Sequence, residues 1–368
     1  MRAAGVDVLD LASGDPDFAT PEPIRAAAKS ALDAGDTHYV SPAGVADLRE
    51  AIVAKLKAEN GIEVNAAQVL VTPGGKAALF DAVQALVEPG VEVLLPEPAW
   101  VSFRPMVELA GGSVRSVPLG DGFRLTREAL EAAVTSRAKV LIINSPCNPT
   151  GRVLDDSERA AIAATAIEHD LVVLSDEIYE HVIYSPHRHV SLASLPGMAE
   201  RTLTVNGFSK AFAMTGWRIG YLAGPAALVS AASKVHGHSA TCVCGFGQAG
   251  ALAALRSPRA LVDEMVAAWA RRREVVCMAI NAMNGFRCPL PDGAFYAFVD
   301  VRGTGLSSQA VAAELIEKHN VAVVPGPAFG AAGEGFIRLS FATSDETLER
   351  ALLAFERFTQ QLPKASTR

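Results

Sequence analysis

The sequence is poor in cysteine, in aromatic residues and in surplus charge of either sign. Its five cysteines, Cys147, Cys242, Cys244, Cys277 and Cys288, are an odd number among 368 residues and form no C-x-x-C pair. That spacing excludes a disulfide scaffold and fits a reducing compartment. Lys and Arg number 33 against 40 Asp and Glu, a net charge of −7, and the basic residues are scattered. No concentrated basic face is therefore offered to a nucleic acid. No apolar run approaches the roughly 20 residues that cross a bilayer, and the first residues lack the apolar stretch of a secretion signal. The expectation is a cytoplasmic protein with no membrane or nucleic-acid partner. Internal repeats and low-complexity segments are absent too. What remains is ordinary globular material, half apolar and a fifth charged, long enough for about two domains at roughly 150 residues each.

From Gln68 to Gly224 short β-branched runs alternate with Ala-rich amphipathic ones. The expected strands are Val69–Thr72, Val91–Leu95, Val114–Val117, Val140–Asn144, Leu171–Ser175, Thr202–Val205 and Ile219–Ala223. Helices are expected over Lys76–Val87, Trp100–Ala110, Arg127–Val134 and Asp156–His169. Such alternation implies an α/β fold, with a mixed, mostly parallel sheet flanked by helices and its strand ends gathered on one edge. After Gly224 the pattern becomes α+β. Helices are expected over Ala226–His236, Pro258–Asn284, Ser308–His319 and Glu346–Gln361, and strands over Ala294–Val299 and Phe336–Phe341. The segment around Pro21–Asn60 is expected to join this smaller unit, and Val6–Ala12 to open the chain as a strand.

Four stretches at strand ends carry chemistry. In Val205-Asn206-Gly207-Phe208-Ser209-Lys210 a lysine follows a buried strand, with Arg218 eight residues on; partial burial and a nearby cation make such an amine nucleophilic. A solvated surface lysine is the ordinary alternative. In Leu174-Ser175-Asp176-Glu177-Ile178-Tyr179 a carboxylate ends an apolar strand, suited to a pyridine nitrogen or, more plainly, to a helix cap. The loop Asn144-Ser145-Pro146-Cys147-Asn148-Pro149-Thr150-Gly151 presents the Asn148 amide or is a plain turn. In Thr72-Pro73-Gly74-Gly75-Lys76 a strand passes through glycines into a helix, whose free N–H groups suit a phosphate.

Together and in this order, Gly-Gly-Lys, Asn-Pro-Thr-Gly, Ser-Asp-Glu-Ile-Tyr and Ser-Lys…Gly-Trp-Arg-Ile-Gly resemble the fold-type I pyridoxal-phosphate enzymes. Within these the chain is similar to the class I aminotransferases, in the aspartate-aminotransferase-like bacterial branch. The resemblance runs from Leu11-Ala-Ser-Gly-Asp-Pro-Asp-Phe18 to Phe336-Ile-Arg-Leu-Ser-Phe-Ala342. It implies pyridoxal 5′-phosphate as cofactor, amino-acid and 2-oxo-acid substrates, and ping-pong transfer of an amino group. Lys210 would be the Schiff-base lysine and proton shuttle, and Asp176 the partner of the pyridinium nitrogen. Tyr179 and Asn148 would bond the ring oxygen, and Trp100 would stack on the ring. Gly75, Lys76, Ser209 and Arg218 would hold the phosphate. Arg338 would take the substrate carboxylate in a bidentate pair, with Gly14, Trp100 and Asn148 also touching substrate. Tyr39 would reach the phosphate of the neighbouring subunit, implying a homodimer with shared sites.

The same resemblance sets the expected domains: residues 1–67 contributing to the small domain and to dimer contacts, 68–258 as the large cofactor domain, and 259–368 as the small C-terminal domain. It also implies an N-terminal helix ahead of the first strand, of which Met1–Gly5 would be the last turn. Gly207 departs from the branch, which often carries a phosphate-binding serine there. Aspartate and 2-oxoglutarate are the expected partners, because Lys76 adds a cation. Charge balance for the phosphate explains that lysine equally well. Phe18, Phe103, Phe295 and Phe329 would instead suit aromatic or aliphatic side chains. A C–S β-lyase shares the same cofactor residues. Gly245-Phe-Gly-Gln-Ala-Gly250 fits a dinucleotide fingerprint, with Asp263 beyond it, but lacks a good preceding strand. His236-x-His238 and Cys242-x-Cys244 have no second matching pair, so no metal is expected.

Overall fold

A computed structural model of the chain describes residues 1 and 5–362. The chain opens with β1 (Leu9–Asp10), α1 (Glu22–Asp33) and α2 (Ala46–Lys55). It continues through β2 (Val69–Thr72), α3 (Gly75–Leu86), β3 (Glu92–Glu97), α4 (Phe103–Leu109), β4 (Ser113–Pro118) and α5 (Arg127–Ala133). Next come β5 (Ala138–Asn144), α6 (Asp156–Glu168), β6 (Val172–Asp176), β7 (Thr202–Gly207) and β8 (Gly220–Ala223). The remainder is α7 (Ala226–Ser239), α8 (Gly245–Arg256), α9 (Ala260–Asn281), β9 (Tyr296–Asp300), α10 (Ser308–His319), β10 (Val321–Ala322), β11 (Val324–Pro325), β12 (Phe336–Ser340) and α11 (Asp345–Gln360).

Seven strands form one sheet in the order β2-β8-β7-β6-β5-β3-β4, parallel except for β8, which runs antiparallel to both neighbours. Strand β8 follows β7 after a short loop, without a crossover helix, which is why it reverses direction. The interior strands are continuous apolar runs, as burial on both faces requires; Val173 and Leu174 of β6 and Leu141 and Ile142 of β5 are fully enclosed. Helix α6 starts on a reciprocal cap, Asp155 accepting from the Glu158 N–H and Glu158 from the Asp155 N–H. The parallel strands β2, β5, β6 and β7 all end on one edge, where α/β proteins bind ligands. A second, three-stranded antiparallel sheet, β11-β12-β9, carries its own core with α9, α10 and α11.

Several expectations change. Residues 21–60 form α1 and α2, which pack on the large sheet: Ile24, Leu48 and Ile52 share a core with Val71, Tyr221 and Ala223. The segment ahead of α1 joins the smaller unit instead: β1 pairs with β10, and Leu11 and Phe18 pack in that unit's core. The opening strand is thus two residues long, since Asp10 turns back to cap the N–H groups of Ala12 and Ser13. Trp100 stays outside α4 because the Ala99 N–H donates to Phe329 O at 2.8 Å. The expected helix end at Met1–Gly5 includes Arg2–Ala4, which lie outside the described residues.

The dinucleotide-like glycines sit at the start of α8 and within it, with no strand before them. A Cβ on Gly250 would lie 2.5 Å from the Trp217 ring, so this glycine serves helix packing. His236 is buried against Asp81, Nδ1 to Oδ2 at 3.0 Å, which gives it a structural partner.

One buried ion pair makes a stability prediction. Lys55 of α2 bonds Asn60 Oδ1 at 2.7 Å and Glu180, while Asn60 bonds Ser191. Burial alone would raise the Glu180 carboxyl, but Lys55, with His181 and His189, holds it well below the usual carboxylate range. Removing one partner leaves an uncompensated buried charge. Lys55→Met is expected to lower the unfolding free energy by about 3–5 kcal/mol in urea titrations. A loss below about 1 kcal/mol would show that the pair carries no such burden. A depressed carboxyl contributes stability above its unfolded pKa, so this contribution disappears as pH falls below the normal Glu range.

Candidate active site

Where the strand ends of the large sheet face β12 and the loop before it, a cavity of about 630 Å³ opens, within the usual range for a small-molecule site. It gathers residues from both ends of the chain. The β6 terminus supplies Asp176, and the turn after it Tyr179; the loop after β7 supplies Ser209 and Lys210. The start of α3 brings Gly75 and Lys76, the loop after β5 brings Asn148, and Arg338 comes from β12. Gly14, Trp100 and Arg218 complete the set of expected residues that line it. Tyr39 does not: it is 88% exposed, away from this chain's cavity.

Asp176 is enclosed, and its carboxylate accepts from the Ile178 N–H at 3.2 Å. Burial raises its carboxyl to about 7, against the Ile178 hydrogen bond, and neighbouring Glu177 adds to the rise. Among the described residues Asp176 forms no ion pair, Lys210 acting on it only from a distance, and a protonated ring nitrogen in the cavity would supply a close cation. Lys210 Nζ donates to Gly14 O at 2.5 Å. Burial lowers its amine to about 8, opposed by Asp15 and assisted by Arg218 and Arg338. A useful fraction is therefore neutral and nucleophilic near physiological pH.

The anion cup is built by close approach. Gly74 has φ +80°, and a Cβ there would lie 2.3 Å from Arg218 Nη2. Glycine thus lets the guanidinium reach the start of α3, whose first N–H groups have no partner earlier in the helix. Arg218 itself is fixed by donating to Thr215 O at 2.6 Å. Lys76 Nζ lies 4.9 Å over the Trp100 ring. At Gly207 a Cβ would meet the Gly220 Cα at 2.9 Å, because β7 and β8 pack too closely for a serine. The tight strand pairing explains that departure and leaves Ser209 as the nearby hydroxyl.

Arg338 is buried, with Nη1 donating to Asn148 Oδ1 at 2.9 Å and Nη2 to Ala12 O. Its guanidinium lies 4.5 Å over Tyr296 and 5.0 Å over Phe329. Its hydrogen-bond acceptors are neutral oxygens, no carboxylate pairs with it among the described residues, and its Nε is buried without a partner. A substrate carboxylate suits that orphaned charge.

Of the four phenylalanines considered for an apolar pocket, only Phe329 lines the cavity. Phe103 lies beneath Trp100, while Phe18 and Phe295 pack on Trp269. Sequence reasoning missed Tyr296, whose hydroxyl sits 2.8 Å from that of Tyr179, and also Thr215 and Val324. Gly293-Ala-Phe-Tyr296 reads only as a strand entrance, so the sequence offered no signal for Tyr296. Cys147 is half-buried, and desolvation pushes its thiol up and leaves it inert. Among the described residues no helix is long and apolar enough to cross a membrane.

Comparison with known proteins agrees with this geometry. The model of the family described as aminotransferase class I and II matches residues 6–355. An aspartate aminotransferase of Pyrococcus abyssi is 47% identical over 98% of this chain and 94% of its own. An aromatic-amino-acid aminotransferase of Thermococcus litoralis is 44% identical over the same shares. The solved structure of an aromatic aminotransferase from Pyrococcus horikoshii superposes with a TM-score of 0.94 at 47% identity, covering 98% of both chains. The fold is that of the fold-type I enzymes. The chain belongs to the class I and II aminotransferases, and its activity is that of a pyridoxal-phosphate-dependent transaminase.

Proposed function

We propose that the chain moves the amino group of L-aspartate to 2-oxoglutarate, on pyridoxal 5′-phosphate, in two half-reactions. The observation that carries this reading is that Lys76 and Arg338, besides Lys210 and Arg218, line one cavity, Lys76 set over Trp100 and Arg338 bonded to Asn148 and Ala12, with no carboxylate paired to either among the described residues. A dicarboxylic substrate offers a carboxylate to each. When bound, the cofactor's ring supplies an electron sink for the charge left at Cα.

The chain's residues do the rest. Asp176 keeps the ring nitrogen protonated. Tyr179 and Asn148 donate to the ring oxygen, and Trp100 covers the ring face. Gly75, Lys76, Ser209 and Arg218 hold the phosphate, joined by Tyr39 of the partner subunit; the exposure of Tyr39 supports that shared arrangement. Arg338 orients the α-carboxylate, with Gly14 beside it, so that the Cα proton faces Lys210. The Lys210 amine takes that proton and would deliver it to the cofactor carbon on the far side of the transferred nitrogen. Five cysteines without a disulfide support a cytoplasmic location.

Trp100, Val324 and Phe329 in the lining favour one second reading, an aromatic donor. A panel of aspartate, glutamate, tyrosine and phenylalanine with 2-oxoglutarate separates them. The expected kcat/KM favours aspartate over phenylalanine. Lys76→Met is expected to lower kcat/KM for aspartate about tenfold more than that for phenylalanine, the size of one charged hydrogen bond, because the lost phosphate contact weakens both reactions alike and only aspartate loses a carboxylate partner. Absence of any aspartate activity would overturn the dicarboxylate reading.

A further inference from the structure

We propose that Tyr296 is a positioning residue for Tyr179: its hydroxyl donates to the Tyr179 oxygen and thereby aims the Tyr179 proton into the cavity. The inference rests on the cofactor reading above, because the proton so aimed meets the ring oxygen.

The two hydroxyls are 2.8 Å apart and both rings are enclosed, at 3% and 1% exposure. Burial raises both phenols, so each keeps its proton at neutral pH. Two protons and one shared hydrogen bond leave one proton over, and its owner depends on which tyrosine donates.

The surroundings decide the direction. The Arg338 guanidinium of β12 lies over the Tyr296 ring, 4.5 Å from its centroid, which withdraws charge from that phenol and makes it the better donor. Asp176, at the end of β6, and Arg338 both face Tyr179, and the Asp176 carboxylate makes its oxygen the better acceptor. Asp15 of the N-terminal loop faces Tyr296, and Lys210 lies 6.0 Å over the Tyr179 ring. A steric wall closes the remaining side. A Cβ on Gly14 would lie 1.9 Å from the Tyr296 hydroxyl, so the N-terminal loop fits only with glycine there. Gly14 O in turn accepts from Lys210. The hydroxyl of Tyr296 is thus wedged between the loop and Tyr179, with Tyr179 as its hydrogen-bonded neighbour.

A hydrogen bond donated to Tyr179 strengthens the one Tyr179 donates onward. The test is a pH titration of the visible absorbance of the holoenzyme. A proton donated to the ring oxygen favours the deprotonated form of the bound cofactor, so losing it raises the midpoint. Tyr179→Phe is expected to raise the midpoint most. Tyr296→Phe, which keeps the ring under Arg338, is expected to raise it by about half a pH unit and to lower kcat with KM for the amino acid little changed. The double variant is expected to match Tyr179→Phe alone. Gly14→Ala, which displaces the Tyr296 hydroxyl from outside the pair, is expected to move the midpoint in the same direction. An unmoved midpoint in Tyr296→Phe, or the same increment when Tyr179 is already Phe, would overturn the proposal while leaving the cofactor reading intact. A wild-type protein with no titrating visible band would overturn both.

Discussion

Lys210→Ala is expected to reduce kcat by at least about 10⁴-fold, combining loss of the covalent link to the cofactor with loss of the proton carrier. The lysine stands in a short loop after β7, its amine held by Gly14 O and lowered to about 8 by burial. Other residues lining the cavity are fixed by contacts of their own: Arg218 donates to Thr215 O, Arg338 to Asn148 and Ala12, and Tyr179 is locked to Tyr296. None is therefore placed to take over the transfer at Cα. The pH-dependent visible band should vanish, although the cofactor can still bind through its phosphate. Small primary amines added to the solution should restore part of the activity, since they replace the missing amine but not the missing stem. A variant that keeps the band would refute the assignment of Lys210.

Asp176→Asn is the second large effect. A carboxylate in a dry site couples strongly to a cation on the ring, and close charged pairs of this type are worth about 1.5–7 kcal/mol. The expected fall in kcat is therefore on the order of 10²–10⁴-fold, with KM changed much less because Arg338 is untouched. The charge also has a signature without cofactor. The Asp176 carboxyl is raised to about 7, so between about pH 4 and 7 the folded chain holds a proton that the unfolded chain has released. Stability of the cofactor-free protein from this group then declines as pH rises through that window. Asparagine removes the slope. Thermal unfolding of both proteins across pH 4–8 checks it; parallel curves would mean that Asp176 is not the buried acid described.

Much of this architecture was legible because α/β proteins write their pattern locally. The runs Val140–Asn144 and Leu171–Ser175 could be little else than buried strands, and the chemistry stood at their ends, where the fold collects it. Edges of elements were less legible, since they depend on distant partners: Trp100 is kept out of α4 by Phe329, more than 200 residues away. The packing of α1 and α2 on the large sheet was likewise set by α8 and Tyr221, contacts with no local trace. The same holds for Tyr296. Its role arises from a glycine at position 14, a tyrosine at 179 and an arginine at 338, which only the folded chain brings together. Gly207 shows the reverse case, a departure visible in the sequence whose cause, the close approach of β8, was not.

As a transaminase, the chain stores an amino group between two half-reactions and releases it only to an oxo acid. Mixing the holoenzyme with L-aspartate alone tests it most directly, following oxaloacetate, ammonia and visible absorbance together. The predicted result is one oxaloacetate per site, no ammonia, and loss of the visible band until 2-oxoglutarate restores it with formation of glutamate. Continued turnover with release of ammonia and no oxo acid present would contradict the account.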